Sequence, residues 1–209
     1  MEWLRHGAQH YPDRICINEY NYNDIYRGVL HVARNLAPLE ASRVAILSDN
    51  SVTMAMYVLA AILVHKEVLL LNVHLKPNEI ANQLDQLGVT AVLHSKERRS
   101  QLPDAVETQV SNLVAPIVSD SVENQLSHSV GSEAANSIVT IEFETLESNL
   151  SDLAVEDSFD WTFADADIAA IMNTSATTGQ FKSVPLRWGQ IKAHVQASQE
   201  VLGKTEQDN

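Results

Sequence analysis

Between Thr174 and Lys182 the chain reads Thr174-Ser175-Ala176-Thr177-Thr178-Gly179-Gln180-Phe181-Lys182, a segment with four hydroxyls, one glycine and one cation. Phosphate oxygens call for this combination. Each must exchange water hydrogen bonds for fixed donors, and hydroxyls, unpaired backbone N–H groups and an ammonium supply them. The segment is not a Walker loop, which needs Gly, four residues and then a contiguous Gly-Lys-Ser/Thr, because Gly179 is separated from Lys182. A Ser/Thr-rich stretch alone is usually a turn. What raises it above that is its place directly after an apolar run, Ile168 to Met172, that reads as a buried strand.

Other chemistry-bearing residues are less promising. His6 and His10 have the i, i+4 spacing that can hold a metal on a helix, but no third ligand is within reach by sequence, so a solvent-facing pair is expected. His65, His74 and His94 stand at element edges and read as surface or satisfied residues. Cys16 is the only cysteine, which excludes an internal disulfide and any multi-cysteine metal site. Within Ile15-Cys16-Ile17 it reads as a small core hydrophobe rather than a reactive thiol. No Gly-x-Ser-x-Gly elbow is present, so a hydrolase triad has no support.

The elements that would position the loop follow from periodicity. Tyr22, Ile25, Tyr26, Val29, Ala33 and Leu36 recur at helical spacing, with Asn21 or Asn23 as N-cap and Pro38 beyond the end. Arg43 to Leu47 reads as a buried strand, and Asp49-Asn50-Ser51 as the cap of a helix from about Val52 to Val64. Val68 to Leu71 lacks alternation, as expected of a strand covered on both faces. Pro77 opens a helix carrying Ile80, Leu84 and Leu87, with Gly88 at its left-handed C-terminal position, and Val89 to Leu93 is the next strand. Strand and helix in alternation predict an α/β fold with a parallel-rich sheet and flanking helices. Residues 1–96 form this α/β portion. Residues 97–160 are a variable acidic connection with one convincing strand at Ile138 to Ile141. Residues 161–209 carry the strand, the phosphate-binding-type loop, a second short strand and a helix through Trp188, Ile191, Val195 and Leu202, ending at Gly203.

Bulk properties exclude several classes. Lys plus Arg is 14 and Asp plus Glu 27, so the formal net charge is 14 − 27 = −13. A field that negative repels nucleic acid and anionic lipid surfaces. The apolar stretch from Val52 to Leu71 is broken by His65-Lys66-Glu67 and reads as a helix, a turn and a strand rather than a membrane span. Neither a secretory leader nor a disulfide framework is legible, which fits the cytoplasm.

The loop with its continuation Ser183-Val184 resembles Thr-Ser-Gly-Thr-Thr-Gly-x-Pro-Lys-Gly-Val, the phosphate-binding signature of adenylate-forming acyl-CoA synthetases, peptide-synthetase adenylation domains and luciferases. Pro12-Asp13-Arg14-Ile15, Tyr22-Asn23-Asp24-Ile25, Arg43 to Asn50, and Val68 to Asn72 with Leu75, Pro77 and Glu79-Ile80 resemble upstream segments of that family in the same order. The resemblance implies the first part of the large N-terminal domain of an adenylate-forming enzyme. Such enzymes activate a carboxylate with Mg-ATP and pass the acyl group to CoA, so ATP, Mg2+ and CoA are the cofactors implied for the complete enzyme. Carried over by position, Thr174, Ser175, Thr177, Thr178, Gly179 and Lys182 are the candidate contacts to the β- and γ-phosphates. The compact start and the Pro185 segment most resemble o-succinylbenzoate–CoA ligases of menaquinone biosynthesis.

The departures bear on function. Ala176 replaces a glycine of the signature, Phe181 the proline and Ser183 a second glycine. The family's adenine motif, ribose-binding aspartate, hinge and small C-terminal domain with its adenylation lysine are not among these 209 residues. The resemblance therefore implies an N-terminal fragment, inactive without the C-terminal portion that would be its partner. The other reading is a degenerate, non-catalytic domain kept as a binding or interaction module.

Overall fold

The computed structural model describes residues 1–103, 138–144, 146, 150, 153, 156–174 and 182–203. Local chemistry sets most element ends. Helix α1 (Glu2–His10) leads to a small antiparallel pair, β1 (Ile15–Ile17) and β2 (Tyr20–Asn21). Helix α2 (Tyr22–Leu36) starts at Asn21, not Asn23. Asn21 Oδ1 accepts from the Asp24 N–H at 2.9 Å, and the Asp24 carboxylate accepts from the Asn21 N–H at 3.3 Å. Ser51 caps α3 (Val52–Leu63) by accepting from the Met54 N–H at 3.0 Å. Pro77 opens α4 (Pro77–Gln86), and Gly88 follows with φ of 60°. Helix α5 (Trp188–Leu202) stops at Gly203 in the same left-handed region.

Between the helices run β3 (Arg43–Leu47), β4 (Glu67–Leu70), β5 (Ala91–His94), β6 (Val139–Glu142), β7 (Ile168–Thr174) and β8 (Lys182–Arg187). They form one six-stranded sheet in the order β6-β5-β3-β4-β7-β8. Every neighbouring pair is parallel except β7 with β8. The chain moves from β3 to β4 on one side and then returns past β3 to β5. Right-handed crossovers in opposite directions put α3 and α4 on opposite faces. Alternation within β3 records this: Val44 and Ile46 join the core beneath α2 and α3, while Ala45 and Leu47 join the core beneath α4.

The pairing of β7 with β8 shifts register between Ile168 and Ala170. As expected of a bulge, Ala169 joins the first core while both Ile168 and Ile171 face the second. Strand β8 is an edge, and Pro185 within it lacks an N–H for further pairing.

Three sequence expectations need revision. The connection 97–160 is not simply solvated where it is described. Ile141, Leu146 and Leu150 are buried in the first core, and Asp157 accepts a hydrogen bond from the Tyr26 hydroxyl at 2.7 Å. His94 is fully buried at the end of β5. Its Nδ1 lies 2.9 Å from the Ser95 carbonyl, and its Nε2 has no partner among the described residues. The expected stripe on α5 is covered only at its start, since Trp188 is buried but Val195 and Leu202 are exposed.

The turn His65-Lys66 is more constrained than its polarity suggests. His65 adopts φ of 56°, and Lys66 is 7% exposed with Nζ donating to the Leu39 and Ala41 carbonyls at 2.5 and 2.9 Å. Burial pushes the Lys66 ammonium below its ordinary value. Two carbonyl acceptors offset much of the cost of desolvating that charge.

Cys16 is half-buried against the first core, and burial pushes its thiol up to about 11. We expect modification by a disulfide reagent at pH 8 to be slower in the native chain than in urea-unfolded chain, with about one thiol in a thousand ionised. For an acid with a raised folded pKa, the associated stability is complete below the unfolded value of roughly 8.5. It is lost as pH rises toward about 11. Equal labelling rates in native and unfolded chain would contradict the burial.

Candidate functional site

In an open α/β sheet, ligands gather at the carboxyl ends of the strands. Because β3 to β7 are parallel, the ends at Leu47, Leu70, His94, Glu142 and Thr174 share one edge of the sheet. Two features occupy this edge.

The first lies at the topological switch between β3 and β5. Asp49, just past β3, meets Arg98 of the 3-10 turn Lys96–Gln101 in a two-point contact, Oδ2 to Nε at 2.9 Å and Oδ1 to Nη2 at 2.5 Å. Hydrogen bonding to Arg98 holds the Asp49 carboxyl below its ordinary range. The pair matches charge across the switch, so the Arg98 guanidinium is already engaged by a carboxylate.

The second feature is the mouth of the loop. Thr174 ends β7, Lys182 begins β8, and the two are register partners. The antiparallel pair thus brings together the first and last of the predicted contacts. Ser175, Thr177, Thr178 and Gly179 lie outside the described residues, as does Ala176. Lys182 is exposed at the mouth. An ammonium there stands where a phosphate at the strand end would meet it.

One rung further in, Asn173 pairs with Ser183. Asn173 Nδ2 donates to Gln83 Oε1 at 2.5 Å, and Ser183 Oγ donates to Asn173 Oδ1 at 2.7 Å. Gln83 sits on α4 and is 2% exposed. Sequence reasoning did not find Gln83 or Asn173. The available signals were a polar residue directly after the apolar run Ile168 to Met172, and a glutamine between the core residues Ile80 and Leu84 of α4.

A cleft of about 390 Å³ is lined by His65, Glu67, Phe163, Asp167 and Arg187. It sits at the other end of the strands, since Ile168 begins β7 and Arg187 ends β8. Position at the carboxyl edge, not volume, decides for the mouth. His6 and His10 stack with ring centroids 4.1 Å apart on exposed turns of α1. No group of three or more His, Cys, Asp or Glu that could hold a metal forms among the described residues. Nor is any helix among them long and apolar enough to cross a membrane.

A family model described as AMP-binding enzyme matches residues 4–209. A 2-succinylbenzoate–CoA ligase of Lactococcus lactis subsp. lactis (strain IL1403) is 37% identical over 211 residues, covering 100% of this chain and 38% of that protein. Two solved structures of the o-succinylbenzoate coenzyme A synthetase from Bacillus subtilis superpose on 99% of the chain. The one with the acyl-adenylate intermediate has a TM-score of 0.68 at 22% identity and is covered to 37%. The one with ATP and magnesium ion has 0.64 at 23% and is covered to 48%. These structures share the fold: a parallel-rich α/β sheet with flanking helices. The chain spans about two fifths of the length of the curated relatives it matches.

Proposed function

Since the chain belongs to the AMP-binding enzyme family, we propose that it supplies the phosphate-holding part of an ATP-dependent acyl-CoA ligase whose carboxylate substrate is o-succinylbenzoate. The observation that carries this reading is the signature-like loop at the carboxyl end of β7, with Thr174 and Lys182 paired at its base. The likeness over the whole chain to a ligase named for that substrate supports the choice of acid.

On this reading Thr174, Ser175, Thr177, Thr178 and Gly179 donate to the β- and γ-phosphates, and Lys182 neutralises charge that builds on pyrophosphate as it leaves. A charged donor fixed before the reaction needs no reorganisation during it, which is how such groups lower a barrier. Mg2+, when bound with the nucleotide, would supply Lewis-acid neutralisation at the phosphates that these residues hold. CoA and the carboxylate are assigned to the portion of the enzyme that the relatives possess beyond the length covered here.

The test is pyrophosphate exchange dependent on ATP and o-succinylbenzoate. The 209-residue chain alone is expected to show none, because a phosphate clamp without adenine and carboxylate sites cannot hold the reacting groups together. A chimera joining this chain to the downstream part of the Lactococcus relative should exchange. A folded chimera that binds o-succinylbenzoate and still fails to exchange would sink the proposal. So would exchange by the short chain.

A further inference from the structure

We propose that Asn173 is a positioning residue, clamped between Gln83 and Ser183 so that the mouth of the loop holds Lys182 in one place. The inference rests on the phosphate-binding reading and adds to it the device that fixes the site.

Asn173 faces α4, as does Ile171 two residues before it, so its amide meets the helix rather than solvent. It uses both ends of that amide. Nδ2 donates to Gln83 Oε1, and Oδ1 accepts from the Ser183 hydroxyl, tying α4, β7 and β8 at a single point. Gln83 is a rigid anchor because Ile80 and Leu84, which flank it on α4, are fully buried. The rung Asn173–Ser183 adjoins the rung Thr174–Lys182, so shear between the strands at the first displaces the lysine at the second.

This gives Ser183 a reason to be there. The signature has glycine at this position, and glycine has no hydroxyl to offer Asn173. The serine is thus not a sign of a decaying loop. It is half of a polar clamp whose other half, Asn173, is the penultimate residue of the strand that enters the loop. Among the described residues Gln83 Nε2 is buried without a partner, so the glutamine amide is held through its oxygen, and losing Asn173 would leave both ends unsatisfied.

Two measurements test this. In the exchanging chimera, Ser183→Ala and Ser183→Gly are expected to lower kcat of exchange about five- to tenfold, the scale of one lost hydrogen bond. Ser183→Thr, which keeps the hydroxyl, should restore kcat to within about twofold of the parent, and KM for ATP should change less than kcat throughout. In the 209-residue chain, backbone amide exchange at Lys182 should speed up in Ser183→Ala and in Gln83→Met, while Ile46 and Leu70 in the sheet interior keep their protection. An unchanged kcat in Ser183→Ala, or a kcat raised by Ser183→Gly, overturns the proposal. If Lys182→Ala exchanges as fast as the parent, it is the phosphate reading that fails. The amide exchange at Lys182 then still decides whether the clamp exists.

Discussion

Lys182→Ala in the chimera should lower pyrophosphate exchange by about 10²-fold or more, the usual cost of removing one preorganised donor to a developing charge. Lys182 is the cation at the mouth of the loop, paired in register with Thr174 at the carboxyl edge of the sheet. Pyrophosphate gains charge as it departs, so the ammonium should act more on kcat than on binding of ATP. Ala176→Gly is the companion change. The signature carries glycine there, and an alanine forced to positive φ costs roughly 1–2 kcal/mol. If the loop needs that conformation, the glycine variant should exchange up to about tenfold faster at subsaturating ATP, since 1.4 kcal/mol is a factor of ten. Loss with Lys182→Ala and no gain with Ala176→Gly would mean that the loop works with alanine. No loss with Lys182→Ala would remove the loop from the chemistry.

The fold was legible where local chemistry and burial agree. Val68 to Leu71 is apolar without alternation because both its faces are covered, and strand and helix in alternation implied a parallel sheet with flanking helices. Pro77 and Gly88 bracket α4 because one has no N–H to place and the other accepts positive φ. The strand order was not legible. Nothing local to β5 tells it to pair with β3 rather than with β4, its predecessor in the chain. The connection misled for a related reason. Its composition is polar and acidic, yet Leu146 and Leu150 are singly placed apolar residues that reach the core without any periodicity to announce them. His94, read as a surface or satisfied residue from its place at a strand end, is buried because β3 and β6 flank it on both sides. At the site, the family signature drew attention to Thr174 and Lys182. The clamp behind them joins residues ninety positions apart, Gln83 and Asn173, and such a contact exists only once the sheet has formed.

Ile46→Ala should be among the most destabilising single changes in the chain, at about 2–5 kcal/mol. Ile46 is fully buried at the middle of the sheet, with Leu70 and Leu93 as its register partners and the core beneath α2 and α3 around it. Truncation removes the transfer free energy of the lost carbons and leaves a cavity. Strands β4 and β5 are fixed in register on either side, so the site cannot collapse to fill that cavity. Against a typical domain stability of roughly 5–15 kcal/mol, this is a large share. For a chain of this size the midpoint of thermal unfolding should fall by about 5–15 °C. Ile15→Ala, at a residue 51% exposed on the small β1–β2 pair, removes the same atoms and should cost under about 1 kcal/mol. Urea unfolding of the two variants beside the parent separates the cases, with equal slopes showing that stability and not compactness has changed. Similar losses in both would mean that the sheet interior is not the centre of the core. A negligible loss in Ile46→Ala would contradict the pairing of β3 between β4 and β5.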